Sequence, residues 1–552
     1  MYDAVGSDGG RRDMFSMVTV ALETLFHMTE MQAHEDLKEA GKLCEFDESL
    51  GNAMFVSHQW VAHHHPDPKM EQLAVLQQAL QNLLAGRSHV HLPPTLEMFF
   101  GRLKCPSAAD FTAKPLFLWY DYFSCPQSTS ANATSNRQLA IDCIPSYVAR
   151  CYFFVILCPF VESAPGQTLN YSTWEAPGTG EFGFEVDREK VGRVVVQMVW
   201  KKLHALLDSG DLHSFRFLQN LQRFYFEGFG YESIESLVPG FQCCIDPSND
   251  ADGFMVARFL HDNRFKRLSD RDAAGWSPLC YGVLTGRVPL VKALLQARAN
   301  ANDCITKNKR SANLSRKLPV LSLATVYHSN EVAQVLLARR ANVNARCTLS
   351  TTALHWTAVG GNAPAVRILL EAKTNPLLRC FPDTSPFKTA CVAGSTPVMR
   401  EMLQLRVQGS LRFGLHMAVA LGVNQEGDTV SCLIKASADV NEQLHIPMAK
   451  TVWWGLLKVL HAAHYVSPSA LTTLAYHHSG ATPLILATLA GKFECIPILL
   501  AAGASLDIPN SHGKTARDFL REMHIPLSWN QTCGVPNSLP DDGSDSDDTI
   551  SI

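Results

Sequence analysis

Apolar positions in the C-terminal half of the chain predict short paired helices. Residues 482–487 read TPLILA, Gly491 follows, and a second apolar run at 495–500 precedes Gly503. A threonine hydroxyl caps a first helical turn, and proline is tolerated just inside it. Each glycine can adopt the left-handed conformation that ends a helix. A pair of this length cannot bury its apolar face alone, so stacked copies are expected.

The same pattern recurs upstream, which predicts about six repeat units over residues 269–527. Successive spacings are 42, 33, 33, 28 and 69 residues for the leucine-equivalent positions Leu279, Leu321, Leu354, Phe387, Leu415 and Leu484. A basic segment at 307–310 accounts for the spacing of 42. Extra chain at 443–478, predicted to be helical or a degenerate repeat, accounts for the spacing of 69. The charged half unit at 513–520 is typical of a capping helix.

Each unit resembles an ankyrin repeat, most fully at 482–507, and two of the five spacings equal the ankyrin period of about 33 residues. The resemblance implies an all-α solenoid that binds protein partners through hairpin tips and inner-helix residues. Trp356 could anchor a partner or could simply pack at the seam between two repeats, and the sequence leaves both interpretations open. The candidate partner-binding residues are Trp276, Arg346, His355, Trp356, Lys388 and His416.

The N-terminal half alternates predicted strands and helices. Strands are expected at 53–60, 116–121 and 152–158, an amphipathic helix at 71–84 and a second helix at 138–149. Near-continuous apolar strands in this order predict an α/β domain with a parallel sheet. Ligands of such sheets bind beyond the carboxyl ends of the strands. The ligand-pocket candidates at that edge are Ser57, His58, Trp60, Asp121, Ser124, Gln127 and Pro159.

Three motifs in this half resemble a divergent TIR-like domain with a flavodoxin-like fold. Residues 55–60 read FVSHQW, 65–68 read HPDP, and 119–127 read WYDYFSCPQ. The resemblance covers about 50–190. It implies either self-association as a signalling platform or cleavage of NAD, the latter with a glutamate on the helix after the third strand.

The segment where that glutamate is expected departs from the pattern. Residues 176–185 contain one proline and three glycines, which disfavour the first turn of a helix. Glu175, Glu181 and Glu185 are replacement candidates, but a loop carboxylate lacks the fixed, desolvated setting that catalysis requires. We therefore expect a non-catalytic TIR-like domain without a cofactor. The alternative is a TIR-type NAD hydrolase regulated or targeted by the repeats, with NAD as its substrate.

The remaining segments complete a multidomain organisation. Residues 1–49 are predicted as a helical extension, 191–268 as a helical connector that covers the first repeat, and 528–552 as a disordered acidic tail. The serines of that tail would suit an acid-directed kinase, although a solubilising tail also explains them.

A cluster of histidines could suggest a metal site. His58, His63, His64 and His65 favour a solvated loop instead, because adjacent histidines cannot all point at one ion.

Composition narrows the class of protein. The chain has 552 residues, a net charge of −4 and 46% hydrophobic residues, which predict two to four soluble domains. Basic residues are dispersed, so no nucleic-acid partner is expected. No run reaches the roughly 20 apolar residues of a membrane span. The 16 cysteines lack CxxC pairs, which predicts reduced thiols and a cytoplasmic location. The leading hypothesis is an intracellular recognition or scaffold protein.

Overall fold

The computed structural model describes residues 15–58, 60–62, 65–87, 90, 105–128, 130–157, 185–234, 237–307, 314–423, 426–446 and 452–522. The described residues up to 157 form an N-terminal unit, and those from 185 form a C-terminal unit. The proposed acidic tail at 528–552 lies outside the described residues.

The N-terminal unit is a five-stranded mixed sheet with order β2-β1-β4-β3-β5. Strand β3 pairs in parallel with β4 and β5, whereas β1 pairs antiparallel with β2 and β4. The strands are β1 Val18–Ala21, β2 Leu43–Glu45, β3 Asn52–His58, β4 Leu116–Trp119 and β5 Phe153–Leu157. The helices are α1 Leu22–Phe26, α2 His34–Glu39, α3 Glu71–Leu84, α4 Ala108–Thr112, α5 Asp121–Ser124, α6 Ala131–Asp142 and α7 Ile144–Arg150.

Both faces of the central strand β3 are buried, because successive side chains of a strand point to opposite faces. Met54 and Val56 pack in one core with Leu73 and Leu76 of α3. Phe55 packs in the other core, where its ring stacks on Trp119 at a centroid distance of 4.4 Å. Burial on both sides explains why the strand has a near-continuous apolar sequence.

Two predictions for this unit were wrong. The sheet is mixed rather than parallel, and the expected helical extension at 1–49 contributes β1 and β2 to it. Strands of three and four residues are too short to show an alternating pattern. The helix predicted at 138–149 lies in α6 and α7, with a break at Cys143 and a proline in the first turn of α7.

The C-terminal unit contains a helical connector followed by paired helices. The connector helices are α8 Glu185–Asp208, α9 Leu212–Asn220, α10 Gln222–Phe226 and α11 Ala251–Asp262. The first five pairs are α12 Pro278–Leu284 with α13 Val288–Gln296, α14 Val320–Val326 with α15 Asn330–Ala338, α16 Ala353–Gly360 with α17 Ala363–Glu371, α18 Pro386–Ala393 with α19 Thr396–Gln404, and α20 Gly414–Leu421 with α21 Glu426–Lys435. Then come α22 Val452–Val466 and α23 Ala470–His477, the sixth pair α24 Pro483–Leu489 with α25 Cys495–Ala501, and α26 Ala516–Glu522. Within the described residues, no helix is both long enough and apolar enough to cross a membrane.

The helix pairs stack in two rows. The inner row consists of the first helices of the pairs, from α12 to α24, followed by α26, and the outer row consists of the second helices from α13 to α25. Helix α20 packs directly on α24, and α21 packs on α25. Helices α22 and α23 pack on each other as a hairpin beside these rows, so the extra chain at 443–478 contains two helices within its described residues and leaves the stack continuous.

A recurring backbone hydrogen bond closes the turn that precedes a pair, and we call this turn the tip. In four tips the N–H of one residue donates to the carbonyl four positions later. The bond has lengths of 2.9 to 3.1 Å in Asp272–Trp276, Cys347–Thr351, Cys380–Thr384 and Asn510–Lys514. The same bond joins Ile305 to Leu318 at 3.0 Å and Leu444 to Ala481 at 2.9 Å. Both long insertions are therefore enlarged tips.

Two buried histidines tie inner helices to the next tip. His355 Nε2 donates to the carbonyl of Thr384 at 3.1 Å, and His416 Nε2 donates to the carbonyl of Ala481 at 3.2 Å. The second bond spans the insertion. Burial lowers the pKa of each imidazole to about 4, so both are neutral at pH 7.

The connector covers the first helix pair. Helix α9 packs on α12, and α11 packs on α13. At this junction buried Asp272 accepts hydrogen bonds from His213 and Tyr281 and lies 3.6 Å from the guanidinium of buried Arg216. Burial alone would raise the pKa of Asp272, but its hydrogen bonds lower it to about 2. The carboxylate thus stays charged and compensates Arg216.

The free energy of unfolding is expected to fall as the pH decreases from 7 to 5. The pKa values of His355 and His416 are about 4 in the folded chain and 6.5 for the unperturbed side chain, which represents the unfolded chain. Between pH 7 and pH 5, therefore, only the unfolded chain protonates these two histidines. Each histidine then destabilises the fold by about 2 kcal/mol at pH 5. Denaturant unfolding of the wild type and of His416→Gln at both pH values measures this difference. The variant should lose about 2 kcal/mol less, and an identical pH dependence would contradict the assignment.

Candidate functional site

Three of the predicted pocket residues meet at the carboxyl ends of β3 and β4. His58 ends β3, Trp60 follows it, and Asp121 begins α5. The Trp60 Nε1–H donates to Asp121 Oδ2 at 2.9 Å, and His58 Nε2 lies 3.2 Å from Asp121 Oδ1. We call these three residues and Tyr120 the edge cluster. Its position agrees with the rule for parallel strands.

The electrostatics of the edge cluster depend on burial. The His58 side chain is only 1% exposed, and its ring stacks on Tyr120 at a centroid distance of 3.8 Å. Burial lowers the pKa of His58, while Asp121 and the Val56 carbonyl oppose that shift. Burial also raises the pKa of Tyr120. The result is a neutral imidazole against a carboxylate whose side chain is 36% exposed.

The HPDP motif builds the loop beneath this cluster. Asp67 is buried, and its Oδ2 accepts the Leu73 N–H at 2.8 Å, at the start of α3. The Pro66 carbonyl accepts the Val61 N–H at 3.0 Å and Gln72 Nε2 at 3.1 Å. The charge of Asp67 raises the pKa of both His58 and Tyr120, so this motif also contributes to the electrostatics of the cluster.

Of the other four pocket candidates, none that the structure describes bonds a side chain of the cluster. Ser124 Oγ accepts the Tyr120 N–H at 3.2 Å, and Gln127 Nε2 donates to the Cys125 carbonyl at 2.8 Å, so both side chains hold the loop that they belong to. Ser57 precedes His58 in β3 and therefore points to the opposite face. Pro159 lies outside the described residues.

Two contributors were missed by the sequence. Tyr120 fell inside the predicted strand 116–121, although its place next to Asp121 was a usable signal. Glu35 accepts the backbone N–H groups of Gln127 and Ser128 at 2.8 and 2.7 Å. It is 92 residues from Gln127 and lies in no motif, so nothing local indicated it.

Most of the candidate catalytic glutamates and metal-ligating histidines lie outside the described residues. Glu175 and Glu181 lie outside the described residues, and Glu185 is the first residue of α8. A helix does therefore begin at the end of the glycine-rich segment, where the sequence disfavoured one. His63 and His64 also lie outside the described part. Within it, no group of three His, Cys, Asp or Glu side chains is placed to hold a metal ion.

Four of the six partner-binding candidates are buried, which is a correction. Trp276 is 0% exposed, Trp356 is 8% exposed, and His355 and His416 are the buried ties described above. Trp276 packs against Tyr281 in the junction with the connector, and Trp356 Nε1 donates to Thr351 Oγ1 at 2.9 Å. Packing inside the stack is therefore the role of these side chains.

The two remaining candidates reach the surface at neighbouring tips. Arg346 is exposed beside the 347–351 tip, and Lys388 is half-buried on α18. Leu349 and Phe381 are 44% and 55% exposed, and the Phe381 N–H donates to the Leu349 carbonyl at 2.8 Å. We call Arg346, Leu349 and Phe381 the tip patch. Its apolar members were missed because tip residues follow no helical period.

A family model described as "Ankyrin repeat" matches residues 479–511, which contain α24 and α25. The "Putative palmitoyltransferase ZDHHC13" of Danio rerio is 48% identical over 46 residues, which are 8% of this chain and 7% of that relative. The chain thus matches a small part of the relative's length. A solved structure, "Crystal structure of human ASB11 ankyrin repeat domain", is similar at 23% identity and a TM-score of 0.33, covering 44% of this chain and 91% of that one. The family model confirms the predicted ankyrin repeat at the α24–α25 pair.

Replacing Asp121 by asparagine should lower the pKa of His58 further, because the carboxylate 3.2 Å from Nε2 stabilises the imidazolium. An NMR titration of ¹³C-labelled histidines measures this pKa, with the His58 signal assigned from its absence in His58→Gln. Glu35→Gln serves as the control, because that carboxylate bonds backbone N–H groups instead. An unchanged or higher pKa in Asp121→Asn would contradict the described contact.

Proposed function

We propose that this chain is an intracellular recognition or scaffold protein that binds protein partners through the tips and inner helices of its ankyrin repeats. The observation that carries the proposal is the continuous inner row from α12 to α24, which aligns the successive tips. Ankyrin repeats imply protein partners. An uninterrupted row offers a partner one extended surface.

The tip patch supplies the chemistry of such a contact. Phe381 and Leu349 present apolar surface beside the guanidinium of Arg346, and aromatic and arginine side chains dominate the binding energy of protein interfaces. We propose the tip patch as the partner-binding surface in place of Trp276 and Trp356, which the sequence suggested. A cytoplasmic location is part of the proposal, supported by free thiols at all cysteines within the described residues.

For the N-terminal unit we propose a TIR-like domain that binds or self-associates without catalysis. The parallel strands β4, β3 and β5 and the position of the edge cluster support this assignment. The antiparallel strands β1 and β2 are a departure from it. A neutral imidazole beside a carboxylate suits hydrogen bonding to a polar ligand.

Charge reversal or truncation in the tip patch should weaken partner binding. Arg346→Glu and Phe381→Ala remove the two side chains expected to contribute most, whereas Lys292→Glu reverses an exposed charge on the outer helix α13. Quantitative affinity purification of the full chain compares the proteins recovered with each variant. Specific partners should fall about tenfold with both patch variants and stay unchanged with Lys292→Glu. Equal recovery with all variants would contradict the proposed surface.

NAD turnover separates the non-catalytic proposal from its enzymatic alternative. We expect the purified full chain to leave NAD intact, because residues 176–185 depart from the TIR-like pattern and Glu185, although it begins α8, stands at the end of that glycine-rich segment. Chromatography of NAD and nicotinamide measures the reaction beside Glu175→Ala, Glu181→Ala and Glu185→Ala. Turnover by the wild type that one variant abolishes would overturn the proposal and identify the catalytic carboxylate.

A further inference from the structure

The hairpin α22–α23 and the inner helices line an open cavity of about 290 Å³. Leucines are the most numerous residues of its wall, and most of them lie on four helices. They include Leu421 of α20, Leu457 and Leu460 of α22, Leu474 of α23 and Leu486 of α24. The volume is close to the lower end of small-molecule sites, which are typically apolar with few polar groups. An enlarged tip therefore creates an apolar chamber on the inner row.

One cation in the wall of this cavity lacks a counter-charge in direct contact. Among the described residues, the Lys388 ammonium forms no hydrogen bond or ion pair, and it lies 5.9 Å from the centre of the Phe413 ring. Arg379 also lines the cavity but is paired with Asp383 at 2.8 Å. Nearby Glu442 is engaged by Arg412 Nε and the Phe413 N–H at 3.0 and 2.8 Å.

The other titratable groups in the wall do not balance this charge. Burial lowers the pKa of both His416 and His478, so neither carries a charge at pH 7. Burial likewise lowers the pKa of Lys388, which shows that its ammonium is partly desolvated. A partly buried cation without a partner is unfavourable, and an anion in the cavity would relieve this cost.

We propose that this cavity binds a small amphipathic carboxylate, with its apolar chain among the leucines and its carboxylate on Lys388. A single ammonium matches a single negative charge, and the leucine wall matches an aliphatic chain. At about 30 Å³ per water-sized group, the cavity holds about ten such groups. A carboxylate of about ten carbons is therefore the suitable probe.

Isothermal titration of the full chain with decanoate and with 1-decanol tests the site. Lys388→Met keeps the aliphatic stem but removes the charge, and should weaken decanoate about tenfold while leaving decanol within twofold. Lys458→Met is the matched control, since Lys458 is an exposed lysine of α22 outside the cavity wall. It should change neither affinity.

Filling the cavity provides a second, independent test. Ala420 is a half-buried wall residue of α20, so Ala420→Leu should weaken both probes without disturbing the outer row. Absence of decanoate binding to the wild type would overturn the proposal. So would equal weakening of both probes by Lys388→Met, or unchanged binding in Ala420→Leu. Phe381→Ala should leave decanoate binding intact, because Phe381 belongs to the tip patch and does not line the cavity. A failure of the protein-recognition proposal can therefore be distinguished from a failure of the carboxylate site.

Discussion

The C-terminal unit depends on one constraint, which is that a short helix pair leaves its apolar face exposed unless a neighbouring pair covers it. Each pair therefore needs the next, and the ends of the stack need caps. The connector helices α9 and α11 cover the first pair, and α26 follows the last. At the first junction the buried Asp272 and Arg216 also compensate each other, so loss of either would leave an uncompensated buried charge.

The same constraint explains where the chain accepts long insertions. A tip projects from the stack, so extra residues there need not disturb the contacts between helices, and loop-closure entropy grows only slowly with length. The hydrogen bonds Ile305–Leu318 and Leu444–Ala481 each close one of the two enlarged tips at its base. His416 adds a second tie across the larger insertion. The α22–α23 hairpin thereby provides a cavity wall that the repeats alone do not form.

Sequence reasoning was most successful where a pattern repeats. The six units, the helical insertion and the helix α3 all follow from apolar periodicity, and His58, Trp60 and Asp121 were placed together by the strand-end rule. It failed for β1 and β2, which are too short to show alternation, and for Trp276 and Trp356, because the type of a side chain does not reveal its burial. Glu35 and the Lys388 cavity arise from contacts between distant segments, which no local motif encodes.

The most direct test of a continuous stack is to replace residues 445–480 by the three residues of the 348–350 tip and to follow amide hydrogen exchange. The replacement preserves Leu444 and Ala481, whose bond closes the enlarged tip. The account predicts cooperative unfolding and protected amides in α24 and α25, because α20 and α21 support these helices directly. Loss of protection in α24 and α25 would show that the hairpin supports them instead and would contradict the account.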